Sequence, residues 1–348
     1  PTRKMTGDNP DAVYFEAPVT ADRVYKVTGN TAGAIYTSIT IEATKSLGVK
    51  PRDAERSKNF FALGLICWMY SRPTDALDDW IKKRFANRPE VLEANLAAFK
   101  AGVNFGETAE LFDHAYEVKP AQLRAGTYRN ITGNVALSYG LVAAAQKAKL
   151  PLFYASYPIT PASDILHELS KLKNFGVKTL QAEDEIAAAG AAVGAAFSGS
   201  LAVTGTSGPG VDLKSEAVGL ALSLELPLVL VDVQRGGPST GLPTKTEQAD
   251  LMLAMYGRHG EAPLPIVAAK SPSDCFDAAF EACRIALKYR TPVILLTDGL
   301  LANGAEPWLL PDVADLADIS VSFATEANHT NADGGTEYWP YLRDPDTL

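Results

Sequence analysis

Three short stretches concentrate the residue types able to hold a small anionic ligand. Tyr157-Pro158-Ile159-Thr160-Pro161 and Gly205-Thr206-Ser207-Gly208-Pro209-Gly210 supply hydroxyls, glycines and free backbone N–H groups. Gln234-Arg235-Gly236-Gly237-Pro238-Ser239-Thr240-Gly241 runs on into Leu242-Pro243-Thr244-Lys245-Thr246 and adds one Arg and one Lys. A guanidinium fork matches both oxygens of a carboxylate, and glycine lets a ligand approach the main chain. Any one of these loops reads more simply as a Gly- and Pro-directed turn. Three of them at one sheet edge weigh toward a binding site. A fourth feature is the run EIAAAGAAVGAAFSG from Glu185. Its Gly190 and Gly194 each cost a helix about 1 kcal/mol relative to Ala, and such a helix admits close approach by another backbone. Glu183, Asp184 and Glu185 stand at its head, where acids also simply favour the positive end of a helix dipole.

The elements that must position these loops follow a regular pattern. From Tyr128 to about Pro307, apolar β-rich runs (LPLFYAS, GVKTLQA, LAVTGTS, LPLVLVDV, LPIVAA, TPVILLTD) alternate with helical ones (NVALSYGLVAAAQKA, SDILHELSKL, EIAAAGAAVGAAF, SEAVGLALSLE, EQADLMLAMYG, SDCFDAAFEACRIALKY). This alternation predicts an α/β domain over residues 128–310: an open parallel sheet with helices on both faces. Such sheets bind ligands beyond the carboxyl ends of their strands, and all three loops follow strands. Residues 1–112 read as part of a smaller domain. It holds a buried helix from Arg56 to Tyr70, a second helix with Thr74 as N-cap, and a third opened by Pro89. Leu92, Leu96 and Phe99 line one face of the third, and Gly102 is expected to end it. Residues 113–127 read as a linker and 311–348 as a connector or tail.

Composition narrows the function classes. The 348 residues carry a net charge of −9, which argues against a nucleic-acid partner and against an anionic membrane. No apolar run reaches the roughly 20 residues of a spanning helix. Cys67, Cys275 and Cys283 form no CxxC, so the chain offers no evident metal or iron–sulfur ligand set. Few, unpaired thiols suit a reducing cytoplasm. The chain opens on Pro1 and stops at Leu348 without a closing element, which leads us to expect a piece of a longer polypeptide.

YPITP, EDEIAAAGAAVGAA, TSGPG and QRGGPSTGLPTKTEQADL, in that order, resemble the α component of the thiamine-diphosphate-dependent 2-oxoacid:ferredoxin oxidoreductases over residues 128–310. RSKNFFALGL through KAGVNFGE is similar to the end of that family's γ component, so the chain resembles a γ–α fusion with a small α/β γ-type domain first. The resemblance implies oxidative decarboxylation of a 2-oxoacid to its acyl-coenzyme A with reduction of ferredoxin, or the reverse. It implies that Glu185 contacts N1′ of the cofactor's aminopyrimidine and promotes the imino tautomer that activates thiazolium C2. Ser207 and Gly208 become cofactor contacts, and Tyr157, Thr160, Arg235 and Thr244 substrate contacts. A Mg²⁺-diphosphate motif is missing: Thr297-Asp298-Gly299 is the one candidate, and Asn303-Gly304 follows too closely. The Mg²⁺ and the [4Fe-4S] cluster are therefore expected on a β-type partner, in a dimer of heterodimers. Tyr256-Gly257-Arg258-His259-Gly260-Glu261 is similar to 2-oxoglutarate members. There Arg258 or His259 could meet a distal carboxylate or lie idle on the surface; pyruvate and branched-chain oxoacids rank lower. A scaffold without activity is the alternative. A nucleotide-binding module is weaker, since GTSGPG fits neither GxGxxG nor the P-loop.

Overall fold

The structure, a computed structural model, describes residues 2–4, 14–16, 29–108, 116–119 and 121–346. The chain divides into two units, Pro1–Arg124 and Ala125–Leu348. In the first unit, β1 (Thr2–Lys4) pairs antiparallel with β2 (Tyr14–Glu16), and the main described elements after them are helices: α1 (Gly29–Thr44), α2 (Pro51–Ala54), α3 (Lys58–Met69), α4 (Asp75–Phe85) and α5 (Pro89–Thr108). Two expectations change here. Gly102 does not end its helix, which runs on to Thr108. It faces Gly64 of α3 instead: a Cβ on Gly102 would overlap the Phe61 carbonyl, and one on Gly64 the Phe99 carbonyl. Both glycines serve close helix crossing. Thr74 occupies the N-cap position of α4, but its side chain makes no capping bond. Within the stretch read as linker, the Tyr116 N–H donates to the Met69 carbonyl at 2.6 Å and the Tyr116 ring stacks on Tyr70.

The second unit is built on a parallel sheet. Its elements are β3 (Tyr128–Thr132), α6 (Gly133–Ala148), β4 (Leu152–Ser156), α7 (Ser163–Leu169), β5 (Val177–Gln181), α8 (Glu185–Phe197), β6 (Leu201–Thr206), α9 (Gly208–Ser223), β7 (Leu228–Gln234), α10 (Leu251–Tyr256), β8 (Ile266–Ala268), α11 (Asp274–Tyr289), β9 (Pro292–Asp298), α12 (Gly299–Asn303) and β10 (Ala305–Leu309). Six strands lie in the order β5-β4-β6-β7-β9-β8, all parallel. β3 and β10 form a separate antiparallel pair. Alternate residues point to opposite faces. Thus Val229, Val231 and Val233 of β7 pack with α6, α7 and α11, whereas Leu228 and Leu230 pack toward α8, α9 and α10. Both faces are covered, as the apolar strand runs require.

The α/β architecture is the one expected, and two helix ends differ. α9 begins at Gly208, seven residues before the expected start at Ser215, so GPG is its first turn rather than a free loop. Proline is tolerated there because the first-turn N–H groups have no intrahelical acceptor. α10 begins at Leu251 rather than Glu247, because Gln248 and the Asp250 N–H bond to other elements. Residues 311–346 continue in the second unit with a small hairpin, β11 (His329–Thr330) and β12 (Thr336–Glu337). They return along the amino ends of the strands. Val321 N–H donates to the Ala148 carbonyl, Phe323 covers Gly199, and Arg343 pairs with Glu225.

Candidate active site

The chain leaves β4 toward β5 on one side and β6 toward β7 on the other. Between the carboxyl ends of β4 and β6 lies the switch point, where open α/β sheets bind ligands. The YPITP loop follows β4, Ser207 follows β6, Arg235 follows β7, and α8 enters from β5. The three loops and the head of α8 thus meet at one edge.

At the head of α8 the three acids have separate fates. Asp184 caps the helix, its carboxylate accepting the Ala187 N–H at 2.7 Å. Glu183 is exposed. Glu185, the first helical residue, is only 8% exposed. Dipole preference explains Asp184; it does not explain why the next acid is buried. The glycines nearby are set by inward neighbours. A Cβ on Gly210 would overlap Thr206 Oγ1 and stand 2.9 Å from Glu185 Cγ, and one on Gly208 would stand 2.9 Å from Asp250 Oδ2. One on Gly205 would overlap the Tyr154 hydroxyl. Gly190 and Gly194 behave differently: a Cβ on either meets nothing within 4 Å. Among the described residues, no backbone makes the close approach expected at that helix.

Arg235 is 8% exposed and ties two of the loops together. Its Nη1 donates to the Thr160 carbonyl and its Nη2 to the Thr240 carbonyl, each at 2.6 Å. Its Nε is buried and unpaired. Of five guanidinium N–H groups, three stay unspent. Ser207 Oγ is likewise buried without a partner. Thr160 and Thr244 are exposed, and Tyr157 is 40% exposed at the rim. The 235–250 segment is fixed from below. Glu247 accepts the Gly237 N–H, Gln234 Oε1 accepts the Asp250 N–H, and Gln248 donates to Asp298 Oδ2 at 2.7 Å. Asp298 is itself committed: its Oδ1 accepts the Leu300 and Leu301 N–H groups, capping α12.

Three ionisable residues, two fully buried and one partly, escaped the sequence reading. Lys214 of α9 is fully buried, and its Nζ donates to Thr204 Oγ1 at 2.8 Å and to the Glu185 carbonyl at 3.1 Å. Burial lowers it to about 8, against the opposing pull of Glu185 and Asp184. Its signal was its place on the apolar stripe Val211, Lys214, Val218, Ala221. Asp232 of β7 is fully buried, and burial, then the neighbouring Asp250, pushes it well above the usual carboxylate range. Asp250 is also raised, first by burial. The two carboxyls are neighbours on the α9–α10 side behind Gly208, and a close pair of acids disfavours ionising both. A charge inside the run LVLVDVQ was the visible cue.

Arg258 does not reach the site. Its guanidinium donates to the carbonyls of Ala254, Met255 and Ala262. It closes the end of α10 and pins the turn before β8, at the strands' amino edge. His259 is exposed beside it.

Comparison with known proteins shows the family. Residues 144–345 match the family model described as pyruvate flavodoxin/ferredoxin oxidoreductase, thiamine-diphosphate binding. The chain belongs to this oxidoreductase family. Residues 7–105 match a second model, pyruvate ferredoxin/flavodoxin oxidoreductase. Among relatives, the 2-oxoglutarate oxidoreductase subunit KorA of Mycobacterium tuberculosis is 57% identical over 90% of this chain and 47% of its own length. A 2-oxoacid:ferredoxin oxidoreductase α subunit of Aeropyrum pernix is 37% identical over 80% of this chain and 44% of its own length. A solved 2-oxoglutarate:ferredoxin oxidoreductase of Magnetococcus marinus, with 2-oxoglutarate, coenzyme A and succinyl-CoA bound, superposes with a TM-score of 0.70 at 32% identity. It covers 88% of this chain, which covers 52% of it. The chain thus spans about half the length of the curated relatives it matches. Among the described residues, no helix is long and apolar enough to cross a membrane.

Proposed function

We propose that this chain supplies the aminopyrimidine side of the thiamine-diphosphate site in a 2-oxoacid:ferredoxin oxidoreductase that acts on 2-oxoglutarate. The observation that carries the reading is Glu185: a carboxyl group buried at the first residue of α8, at the sheet's switch point. The surrounding residues fit the cofactor. The buried, unpaired Ser207 Oγ and Arg235 Nε leave polar capacity at the same edge, and the exposed Thr160 and Thr244 add hydroxyls. Thiamine diphosphate, when bound, supplies the carbon nucleophile for the 2-oxo group.

The chain's own groups then have distinct tasks. Glu185 exchanges a hydrogen-bonded proton with the aminopyrimidine N1′, flanked by Ser207 and Gly208. The three unspent N–H groups of Arg235 and the Thr160 hydroxyl receive the 1-carboxylate, which is lost as CO₂. Thr244 adds a hydroxyl, and Tyr157 closes the rim against water. A β-type partner would hold Mg²⁺ with the diphosphate and the [4Fe-4S] cluster, which would supply single-electron transfer to ferredoxin, with coenzyme A as the acyl acceptor. The commitment of Asp298 to capping α12 supports a Mg²⁺ site on another chain. We place the assembly, a dimer of heterodimers, in the cytoplasm.

The 2-oxoglutarate preference rests on the relatives' names, since Arg258 is spent on its own main chain. Calorimetric titration of thiamine diphosphate, with and without the partner subunit, tests the half-site. Tight binding should need both chains, and turnover by this chain alone would overturn the reading. A substrate panel on the complex tests the rest: higher kcat/KM for pyruvate than for 2-oxoglutarate would reverse the substrate assignment.

A further inference from the structure

Lys214 has no role in the reading above, yet its placement is costly. A fully buried ammonium loses its hydration, and an apolar residue of similar length would pack the same space without that penalty. It lies on the buried stripe of α9 between Val211 and Val218. Its Nζ ends a hydrogen-bonded chain through four elements. Thr204 Oγ1 of β6 donates to the Ala155 carbonyl of β4 at 2.9 Å and accepts from Lys214 Nζ of α9 at 2.8 Å. The same Nζ donates to the Glu185 carbonyl of α8 at 3.1 Å. The ammonium therefore fixes the main chain of the one residue whose carboxyl is buried at the switch point.

We propose that Lys214 is a positioning residue for Glu185: its buried ammonium sets the place and direction from which that carboxyl meets the cofactor's aminopyrimidine. The inference rests on the reading of Glu185 given above. The ammonium has three donors, and two of them serve the β6 hydroxyl and the α8 carbonyl. Gly210, whose Cβ would meet Thr206 Oγ1 and Glu185 Cγ, lets the first turn of α9 lie close against Glu185.

The test compares affinities of the complex, this chain with its partner subunit, for thiamine diphosphate and for its deaza analogue, in which N1′ is replaced by CH. Calorimetry gives the ratio without any turnover. The unsubstituted complex should prefer the true cofactor by about 10- to 100-fold, the worth of one charged hydrogen bond. Lys214→Met, which keeps the length and removes the charge, should lose most of that preference. Glu185→Gln should lose it as well, and the double variant should be no worse than either single one. Thr204→Val removes one acceptor of the ammonium without changing size. It should lower the preference part-way, and it decides the matter if Lys214→Met does not fold. Retention of the full preference by Lys214→Met, or by Thr204→Val in that case, overturns the role of Lys214 while leaving Glu185 intact. An unsubstituted complex that binds both compounds equally, or a Glu185→Gln complex that keeps the preference, overturns the reading of Glu185 itself.

Discussion

Replacing Arg235 with Lys keeps one positive charge at the site edge and removes the fork. In the native loop the two terminal nitrogens hold the Thr160 and Thr240 carbonyls at 2.6 Å each. A single ammonium at the end of a shorter stem reaches one of them, so one charged hydrogen bond is lost, worth about 1.5–3 kcal/mol. Thr160 and Thr240 are exposed, so water takes the freed carbonyl and the lower part of that range applies. A loss of ~1.5–2 kcal/mol expressed in the transition state lowers kcat/KM by roughly 10- to 30-fold. The factor should be the same for every 2-oxoacid, because the 1-carboxylate is common to all. Steady-state kinetics of the complex at saturating cofactor measures it, and amide hydrogen exchange of residues 157–161 and 236–246 should quicken in the same variant. Two results would refute the reasoning. Unchanged kinetics with unchanged exchange would mean that the fork couples nothing. Unchanged substrate kinetics with collapsed thiamine diphosphate binding would move Arg235 to the cofactor.

Four further expectations follow from the same geometry. Glu185→Gln should fold normally and lose at least ~100-fold in turnover, the low end for a positioned proton-transfer group; near-normal turnover removes the assignment. Gly210→Ala places a methyl against Thr206 Oγ1 and Glu185 Cγ and should lower stability by about 1–3 kcal/mol through overpacking. Gly190→Ala, with open space at its Cβ, should raise the stability of the isolated chain by roughly 0.5–1 kcal/mol through helix propensity; thermal melts of both check the sign. For pH, Lys214 is held at about 8 by burial, against an ordinary 10.5 for an unfolded chain. Between those values the unfolded chain keeps a proton that the native one releases, so stability gains from this residue as pH rises from 8 to 10.5, with a ceiling of about 1.4 kcal/mol per pH unit. Below pH 8 the native state carries the full cost of the buried charge. The difference in denaturation midpoint between the native chain and Lys214→Met should move in favour of the native chain over that window, and a flat difference argues that the ammonium is not desolvated.

How much of this was legible in the sequence depended on the reach of each signal. The strand–helix alternation is local, and it carried the six strands of the sheet to within two residues and both ends of α8 without error. What failed were the places where a distant partner decides. GPG read as a loop because Gly and Pro punctuate turns, yet Pro209 lies where a helix does not need its N–H, and the two glycines make room for Asp250 and Glu185. Gly102 read as a helix end for the same reason and serves a crossing with Gly64. Arg258 read as a possible ligand because its neighbourhood resembles 2-oxoglutarate members; only the fold shows four donor contacts to its own main chain. Conversely, Lys214 and Asp232 were visible as charges on apolar stripes and carried no motif to draw attention to them. A charge at a position where the period demands an apolar residue is therefore as informative as a motif: Lys214 marks where the fold spends stability to hold something else in place, here the head of α8.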